Sequence, residues 1–126
     1  MTVDARYAFR VRVRFDPPPG VSVEPATVDL RFYRRAADPG EEGWLFFRDN
    51  LWRGEVADEE HFRDLVADGL GVEIDSVSFA ALETDPEYLD ALKAAIAADL
   101  EPFRADSVDE ALTKYLGSSI EVRDSL

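Results

Sequence analysis

Two segments near the start of the chain alternate between apolar and polar residues. Residues 6–15 (RYAFRVRVRF) and residues 27–35 (TVDLRFYRR) each place apolar side chains at every second position. A period of two with one apolar face predicts a half-buried antiparallel β-strand. The run DPPPG at 16–20 has too few free N–H groups to continue a ladder, so we expect an irregular or edge segment up to Pro25.

A hairpin is predicted next, because WLFFR (44–48) is followed by Asp-Asn and then by LWRGEV. Asp49 and Asn50 both tolerate positive φ and are predicted to form its two-residue turn. Directly opposed residues share a face. One face is then Leu45, Phe47, Trp52, Gly54 and Val56, and the other is Trp44, Phe46, Arg48, Leu51, Arg53 and Glu55. Because the first face is wholly apolar, the pairing predicts that Trp52 is a core residue with Gly54 beside its indole.

From Asp58 onward the apolar spacing changes to that of helices. Asp58 is a suitable N-cap and Gly69 a suitable left-handed C′ residue for the first of them. The apolar stripe of this helix is Phe62, Leu65 and Val66. A strand is predicted over 72–83, with an irregularity between Ile74 and Val77 where the alternation slips.

Two more helices and a short strand are predicted after this. Asp85-Pro86 opens the second helix and Pro102 ends it. Its buried side is Leu89, Leu92, Ile96, Leu100 and Phe103. The capping box Ser107-Val-Asp-Glu110 begins the third helix, which ends near Gly117, and residues 120–123 form a last strand. The inward positions of the third helix are Val108, Ala111, Leu112, Tyr115 and Leu116.

This order of elements predicts a single α+β domain over residues 1–126. Strands come first and helices follow, which favours a mainly antiparallel sheet with helices packed on one face. A chain of 126 residues is long enough for one hydrophobic core. A ferredoxin-like variant of this architecture is an open alternative.

Acidic residues greatly outnumber basic ones: 27 Asp and Glu stand against 14 Lys and Arg, a net charge of −13. Such a surface repels itself at low ionic strength, whereas at molar salt the Debye length is about 3 Å and the repulsion largely vanishes. The composition therefore predicts a protein of a halophile, with an acidic mesophile protein as the alternative. The excess is uneven, because residues 1–55 hold nine acids and nine bases.

Cysteine is absent, which excludes disulfides, thiol nucleophiles and thiolate metal sites. No apolar run approaches the roughly 18–20 residues that cross a bilayer. The start of the chain, MTVDARYAFR, lacks the pattern of a secretory signal. We therefore expect a cytoplasmic protein with no membrane partner.

Arginine collects on one predicted surface. If the early strands share one sheet, its solvent side gathers Arg10, Arg12, Arg14, Arg31, Arg35, Arg48 and Arg53, with Tyr33, Trp44 and Phe46 among them. Arginine and aromatic residues are typical of protein interfaces. This favours either a protein partner or self-association into a homo-oligomer. A single-stranded nucleic-acid or anion platform is the second interpretation. A purely structural network with carboxylates such as Asp29 and Glu55 is the third.

Salt argues against nucleic acid on this surface. Affinity falls with a slope near −0.9 per phosphate contact, so about six contacts lose roughly six decades of affinity between about 0.2 M and 3 M salt. Apolar contacts survive in salts that are excluded from the protein surface. We therefore rank protein contact above nucleic-acid binding.

The segment NLWRGE at 50–55, in a short acidic chain of this layout, resembles the haloarchaeal LWR-salt protein family. The family is named for its Leu-Trp-Arg motif and its salt-loving hosts, and the motif is Leu51, Trp52 and Arg53 here. The resemblance implies a halophilic host and implies no activity. The structural motif is expected to comprise Asp49, Asn50, Leu51, Trp52 and Gly54.

Catalytic chemistry has little support in the sequence. His61 is the only histidine and falls in the first turn of a predicted helix, so we expect it at the surface. A metal at residues 58–61 is disfavoured because consecutive helical positions do not converge on one ion. We predict no catalytic residue, no metal and no cofactor, and a non-enzymatic binding or assembly domain. An enzyme is the remaining alternative, and it would need an enclosed polar pocket that the sequence does not reveal.

Overall fold

The computed structural model describes residues 5–124, which form a four-stranded sheet with helices on one side. In chain order the elements are β1 (Ala5–Arg14), β2 (Thr27–Arg35), α1 (Phe46–Asn50), β3 (Leu51–Trp52), β4 (Glu55–Val56), α2 (Glu59–Leu70), β5 (Glu73–Thr84), α3 (Pro86–Ala98), a 3₁₀ turn (Glu101–Phe103), α4 (Val108–Leu116) and β6 (Ile120–Val122). The sheet order is β2-β1-β5-β6, and only the β5–β6 pair is parallel. The predicted α+β class with a mainly antiparallel sheet is confirmed.

The ferredoxin-like alternative does not describe this chain. That fold follows the order β-α-β-β-α-β, whereas here β1 and β2 are consecutive strands joined by the Pro-rich segment without a helix. The first two strands therefore pair directly with each other.

The core lies between the sheet and the helices and is rich in aromatic rings. Phe9 of β1 is fully buried, and its ring centroid lies 4.7 Å from that of Phe62 on α2. Phe47 on α1 stacks on Phe103 at 5.7 Å with an interplanar angle of 7°. Each such pair adds about 0.5–1.5 kcal/mol beyond the burial of its area. The rings thus tie α2 to the sheet and α1 to the 3₁₀ turn.

The periodic elements agree with their predictions to within a residue or two, except that α3 ends at Ala98, before Pro102, and Phe103 lies in the following 3₁₀ turn. The predicted irregularity in β5 is confirmed, because the register with β1 shifts between Arg12 and Val13. A second shift, between Ala8 and Phe9, was not predicted. The N-caps at Asp58, Asp85 and Ser107 are confirmed, since each side chain accepts a backbone N–H of its helix.

The end of α2 was predicted two residues too early. Gly69 is helical, and the left-handed position is taken by Gly71 at φ 70°. Its N–H donates to Ala67 O at 2.7 Å, which satisfies one carbonyl of the last turn. From the sequence, either Gly69 or Gly71 could take the left-handed position that ends the helix. The helix extends to Leu70, and Gly71 takes that position.

The predicted hairpin turn at Asp49-Asn50 is wrong. Residues 46–50 form α1 instead, and Asn50 ends that helix with its side-chain amide donating to Phe46 O at 3.0 Å. The hairpin is shorter and lies further along: β3 and β4 pair around Arg53 and Gly54, at φ 52° and 81°. Two consecutive residues with positive φ are what a two-residue type I′ turn requires, and glycine adopts that conformation without steric cost.

The displaced turn reverses the predicted faces of this segment. Leu51, assigned to the solvent side, is 1% exposed, and Trp52, assigned to the core, is 45% exposed. Phe47 is buried as predicted, but from a helix rather than a strand. Trp44 and Phe46, assigned to the solvent side, pack partly buried against the core.

The hairpin turn docks on the C-terminal end of α4 through backbone contacts. Arg53 N donates to Lys114 O at 2.7 Å, and Gly54 N donates to Tyr115 O at 3.0 Å. These carbonyls belong to the last turn of the helix and have no acceptor role within it. A Cβ on Gly117 would lie 2.9 Å from Arg53 O, so the two backbones meet where no side chain fits.

Within residues 5–124, no helix combines the length and apolar character that a membrane crossing requires.

We predict opposite effects for two Gly→Ala substitutions. Gly117→Ala should destabilise the protein by more than about 1 kcal/mol, because the new Cβ meets backbone at 2.9 Å and the residue sits at φ 62°. Gly69→Ala should be neutral or stabilising by up to about 1 kcal/mol, since it is helical with nothing within 4 Å. Urea unfolding at fixed high KCl measures both. Equal changes in the free energy of unfolding for Gly117→Ala and Gly69→Ala would contradict the docking of the hairpin on α4.

Candidate interaction surface

The side of the sheet opposite the helices is lined mainly by arginine, and we call it the open face. Even-numbered residues of β1 lie there beside odd-numbered residues of β2, and Arg10 is directly opposite Arg31. The side chains that define it are Arg6, Arg10, Arg12, Arg14, Asp29, Arg31, Tyr33, Arg35 and Glu83. Ala8 lies at its centre and is fully buried among these longer side chains. Strict alternation along β1 is what collects its guanidinium groups on one side.

Six residues predicted for this surface do lie on the open face: Arg10, Arg12, Arg14, Arg31, Tyr33 and Arg35. The other four were predicted there on the strength of the wrong hairpin. Trp44, Phe46, Arg48 and Arg53 belong to the 44–56 segment, which packs on the helical side. The ring centroid of Phe46 lies 4.7 Å from that of Tyr7, a core residue of β1.

The two misplaced arginines make local contacts instead. Arg48 is ion-paired with its neighbour Asp49 at 2.7 Å. The Arg53 guanidinium lies 5.6 Å from the centroid of the Trp52 ring. Neither side chain belongs to the four-stranded sheet.

A buried carboxylate, Glu83, links all four strands at one end of the open face, and the sequence did not single it out. Its side chain is 1% exposed and accepts a hydrogen bond from Arg6 Nε at 2.8 Å. Arg31 of β2 and Arg123, just after β6, each place a guanidinium nitrogen 3.6 Å from its second oxygen. A buried carboxylate costs several kcal/mol unless it is paired, and three cations meet that need here.

Other arginines of the open face are neutralised one by one. Arg12 holds Asp29 with two hydrogen bonds, at 2.8 and 3.3 Å, and Arg14 donates to Asp75 at 2.6 Å. The Arg6 guanidinium also lies over the Tyr33 ring, 4.0 Å from its centroid. Much of the face is therefore an Arg–carboxylate network that includes Asp29, as the structural interpretation predicted, with Asp75 and Glu83 in place of Glu55.

Arg10 differs from its neighbours. Within residues 5–124 it has no ion pair, and it lies directly opposite Arg31, whose contact with Glu83 is the longer 3.6 Å. Two like charges facing each other across strands are destabilising. The two guanidiniums border a groove of about 430 Å³ that also contains Ser76 and Ser78. The groove combines Arg10, which has no ion pair, and the weakly paired Arg31 with hydroxyl donors, which suits a carboxylate or another oxyanion.

Ion pairs of the open face shift the pKa values of Arg12, Arg14 and Asp29 in the expected directions. The hydrogen bond from Arg12 is the main cause that lowers the pKa of Asp29, and the same contact raises the pKa of Arg12. The hydrogen bond to Asp75 likewise raises the pKa of Arg14. Asp29 is therefore ionised throughout the neutral range, as its hydrogen bonds with Arg12 require.

A second depression, of about 740 Å³, lies beside the exposed tryptophan of the Leu-Trp-Arg motif. Its wall is Trp52, and it continues along α4 past Thr113 and Lys114 to Gly117. The Lys114 ammonium lies 5.8 Å from the Trp52 ring centroid, but it is held by Phe103 O at 3.1 Å. The motif therefore has divided roles: Leu51 fills the core, Arg53 forms the turn, and Trp52 faces outward.

Groups suited to catalysis are not assembled at these depressions. His61 is exposed on α2, where its backbone N–H donates to Asp58 at 3.1 Å. In the part of the chain that the structure describes, no cluster of three or more His, Asp and Glu side chains is arranged around a metal position. Both depressions exceed the roughly 300 Å³ of a small-molecule pocket, so cavity size alone does not exclude an enzyme.

Comparison with known proteins connects the chain to one family. The sequence model of the family described as LWR-salt protein matches residues 3–126. No curated protein matches the chain. No solved structure matches it.

We predict that Trp52→Ala costs less than about 1 kcal/mol of folding free energy, because its ring is 45% exposed and makes one edge contact with Tyr115. Phe47→Ala should cost about 3–5 kcal/mol, because that ring is fully buried. Urea unfolding of both variants tests the observed hairpin. A Trp52 variant as destabilised as the Phe47 variant would restore the discarded Asp49-Asn50 register.

We also predict that the Arg12→Gln variant raises the pKa of Asp29. The guanidinium hydrogen bond lowers this pKa in the native protein. Any contribution of the pair to stability is therefore present above the carboxyl pKa of the unfolded chain and is lost as the pH falls through the folded one. Carboxyl-detected NMR titration measures the change, with Arg104→Gln as the control away from the sheet. An unchanged Asp29 pKa in Arg12→Gln would show that the pair is not formed in solution.

Proposed function

The chain belongs to the LWR-salt protein family, and we propose that it is a small halophilic, cytosolic and non-enzymatic binding domain whose open face contacts protein. The observation that carries the proposal is the facing pair Arg10 and Arg31, which is left without full compensation beside Arg12 and Arg14, each paired with a carboxylate. A partner that supplies carboxylates at this position would remove a repulsion present in the free protein.

The chemistry of the open face supports a protein partner. Arginine and tyrosine are enriched in protein interfaces and among the residues that dominate their binding energy. Tyr33 is 41% exposed and stands beside the Arg10–Arg31 groove on the same strand as Arg31. Paired arginines such as Arg12 and Arg14 are held in fixed positions, which reduces the entropy lost when a partner binds.

The charge of the whole chain supports a halophilic setting. A net charge of −13 on 14.1 kDa repels itself in dilute buffer and is screened in molar salt. Long-range attraction to any partner is screened as well, so contacts at the open face must be short and partly desolvated. Bidentate guanidinium–carboxylate bonds and aromatic stacking meet this condition.

Nucleic acid is the alternative ligand of the same groove, since single strands bind to arginine and aromatic platforms. Its phosphate contacts are the part of the binding energy that concentrated salt removes. We therefore rank nucleic acid below protein as the ligand of this groove.

We predict that a protein co-purifies with the tagged chain from a native extract kept at about 2–3 M KCl. Arg10→Glu should lose that protein at least tenfold, because it places a carboxylate where the partner supplies one. Arg104→Glu is the matched control: it makes the same charge change at an exposed position outside the sheet. If wild type, Arg10→Glu and Arg104→Glu recover equal amounts of the co-purifying protein, a role for the open face is refuted.

Filter binding to single-stranded DNA across a KCl series tests the alternative. Binding that persists above about 0.5 M KCl and depends on Arg10 would favour nucleic acid over protein. Binding that disappears below this concentration would leave protein as the partner in brine.

A further inference from the structure

The strand β2 lies at the end of the sheet, and among the residues that the structure describes it is paired on one side only. The flanking hydrogen bonds from Ala36 N to Ala5 O and from Phe15 N to Ala26 O show which positions of the ladder bond to each other. Hydrogen-bonded and non-hydrogen-bonded positions alternate in an antiparallel pair. Even-numbered residues of β2 therefore bond to β1, and the odd-numbered residues direct their N–H and C=O groups to the unpaired edge.

The two sides of β2 differ sharply in character. On the helical side it carries Val28, Leu30, Phe32 and Arg34, and on the open face it carries Thr27, Asp29, Arg31, Tyr33 and Arg35. Leu30 is 48% exposed although it points to the helical side. Nearby, the segment that leads into β2 exposes Phe15, Val21 and Val23. An unpaired strand with exposed apolar residues is a template for pairing with another strand.

We propose that this edge binds a second copy of the chain, with the two β2 strands antiparallel about a two-fold axis at Leu30. On the helical side Leu30 then faces the partner's Leu30, and Val28 faces the partner's Phe32, so the pairs at the centre of the row are apolar. On the open face Asp29 faces the partner's Arg31, and the symmetry repeats this pair. The backbone groups directed outward by Asp29 and Arg31 are opposite each other and exchange hydrogen bonds.

Neighbouring registers fit less well. An axis at Arg31 places that guanidinium opposite the partner's Arg31, which repels. An axis at Phe32 places Leu30 opposite the partner's Arg34, so that an apolar side chain faces a charged one. Complementarity on both sides of the strand thus selects the axis at Leu30.

Salt should favour this dimer. Two copies with a net charge of −13 each repel in dilute buffer, and about 2 M KCl screens that repulsion, whereas the strand hydrogen bonds and the apolar row remain. The pairing would join two sheets edge to edge and place two open faces side by side. The inference concerns the edge and goes beyond the proposed role of the open face, so either can fail alone.

Cross-linking tests the axis directly, because the chain has no cysteine and a single substitution adds the only thiol. At a non-hydrogen-bonded position the opposed Cα atoms are about 4.5 Å apart, within the range that a disulfide spans. Leu30→Cys under mild oxidation in about 2 M KCl should therefore run mostly as a covalent dimer on a non-reducing gel. Leu65→Cys is the matched control, since Leu65 is also 48% exposed but lies on α2, and it should stay mostly monomeric.

Two further results would overturn the proposal. Equal cross-linking of Leu30→Cys and Leu65→Cys would show random collision, and stronger cross-linking of Arg31→Cys would place the axis elsewhere.

Sedimentation velocity in about 2 M KCl supplies the independent measurement. Wild type and Leu65→Lys should sediment as dimers, and Leu30→Lys as a monomer whose circular dichroism matches that of wild type. A monomeric wild type at high salt would overturn the dimer. Capture of a partner protein through Arg10 would be unaffected by that result, so the two proposals fail separately.

Discussion

The register of β1 between β2 and β5 determines the character of every surface of this protein. Phe9 and Val11 point into the core, and Arg10 and Arg12 point to the open face. A slip of one residue would reverse all four, exposing two large apolar groups and burying two guanidiniums. The cost of that reversal fixes the register, and with it the side on which helices can pack. The two register shifts in β5 let that longer strand follow β1 while keeping its own apolar residues inward.

Local periodicity was sufficient to predict the elements whose pattern repeats over several residues. The long strands, the three longer helices and their N-caps follow from alternation, helical spacing and capping residues. The 44–56 segment could not be predicted in this way, because WLFF is apolar at every position and fits a strand or a helix equally well. What decides its structure is the docking of Arg53 and Gly54 on carbonyls of α4, about sixty residues later in the chain. No local pattern contains that contact.

The candidate surface was predictable to the extent that it lies on β1 and β2. The alternation of those strands places six of its arginine and tyrosine residues correctly, whereas the residues taken from the mistaken hairpin lie elsewhere. Glu83 was missed because its importance depends on three partners that come from β1, β2 and the residue after β6. One signal was available: Glu83 is a charged residue that directly follows the apolar run at 79–82.

Glu83 also shows how a concentration of arginine can exist without being a general anion-binding surface. Its buried carboxylate contacts three guanidiniums, and Asp29 and Asp75 each pair with one more, so five of the arginines at this face have a carboxylate partner within the molecule. In concentrated salt the remaining field extends only a few ångströms. In the proposed function, selectivity then depends on geometry at the Arg10–Arg31 pair, where a ligand must approach closely enough to bond both guanidiniums. A flat strand surface with fixed arginines offers that approach to an extended acidic segment more readily than to a diffuse polyanion.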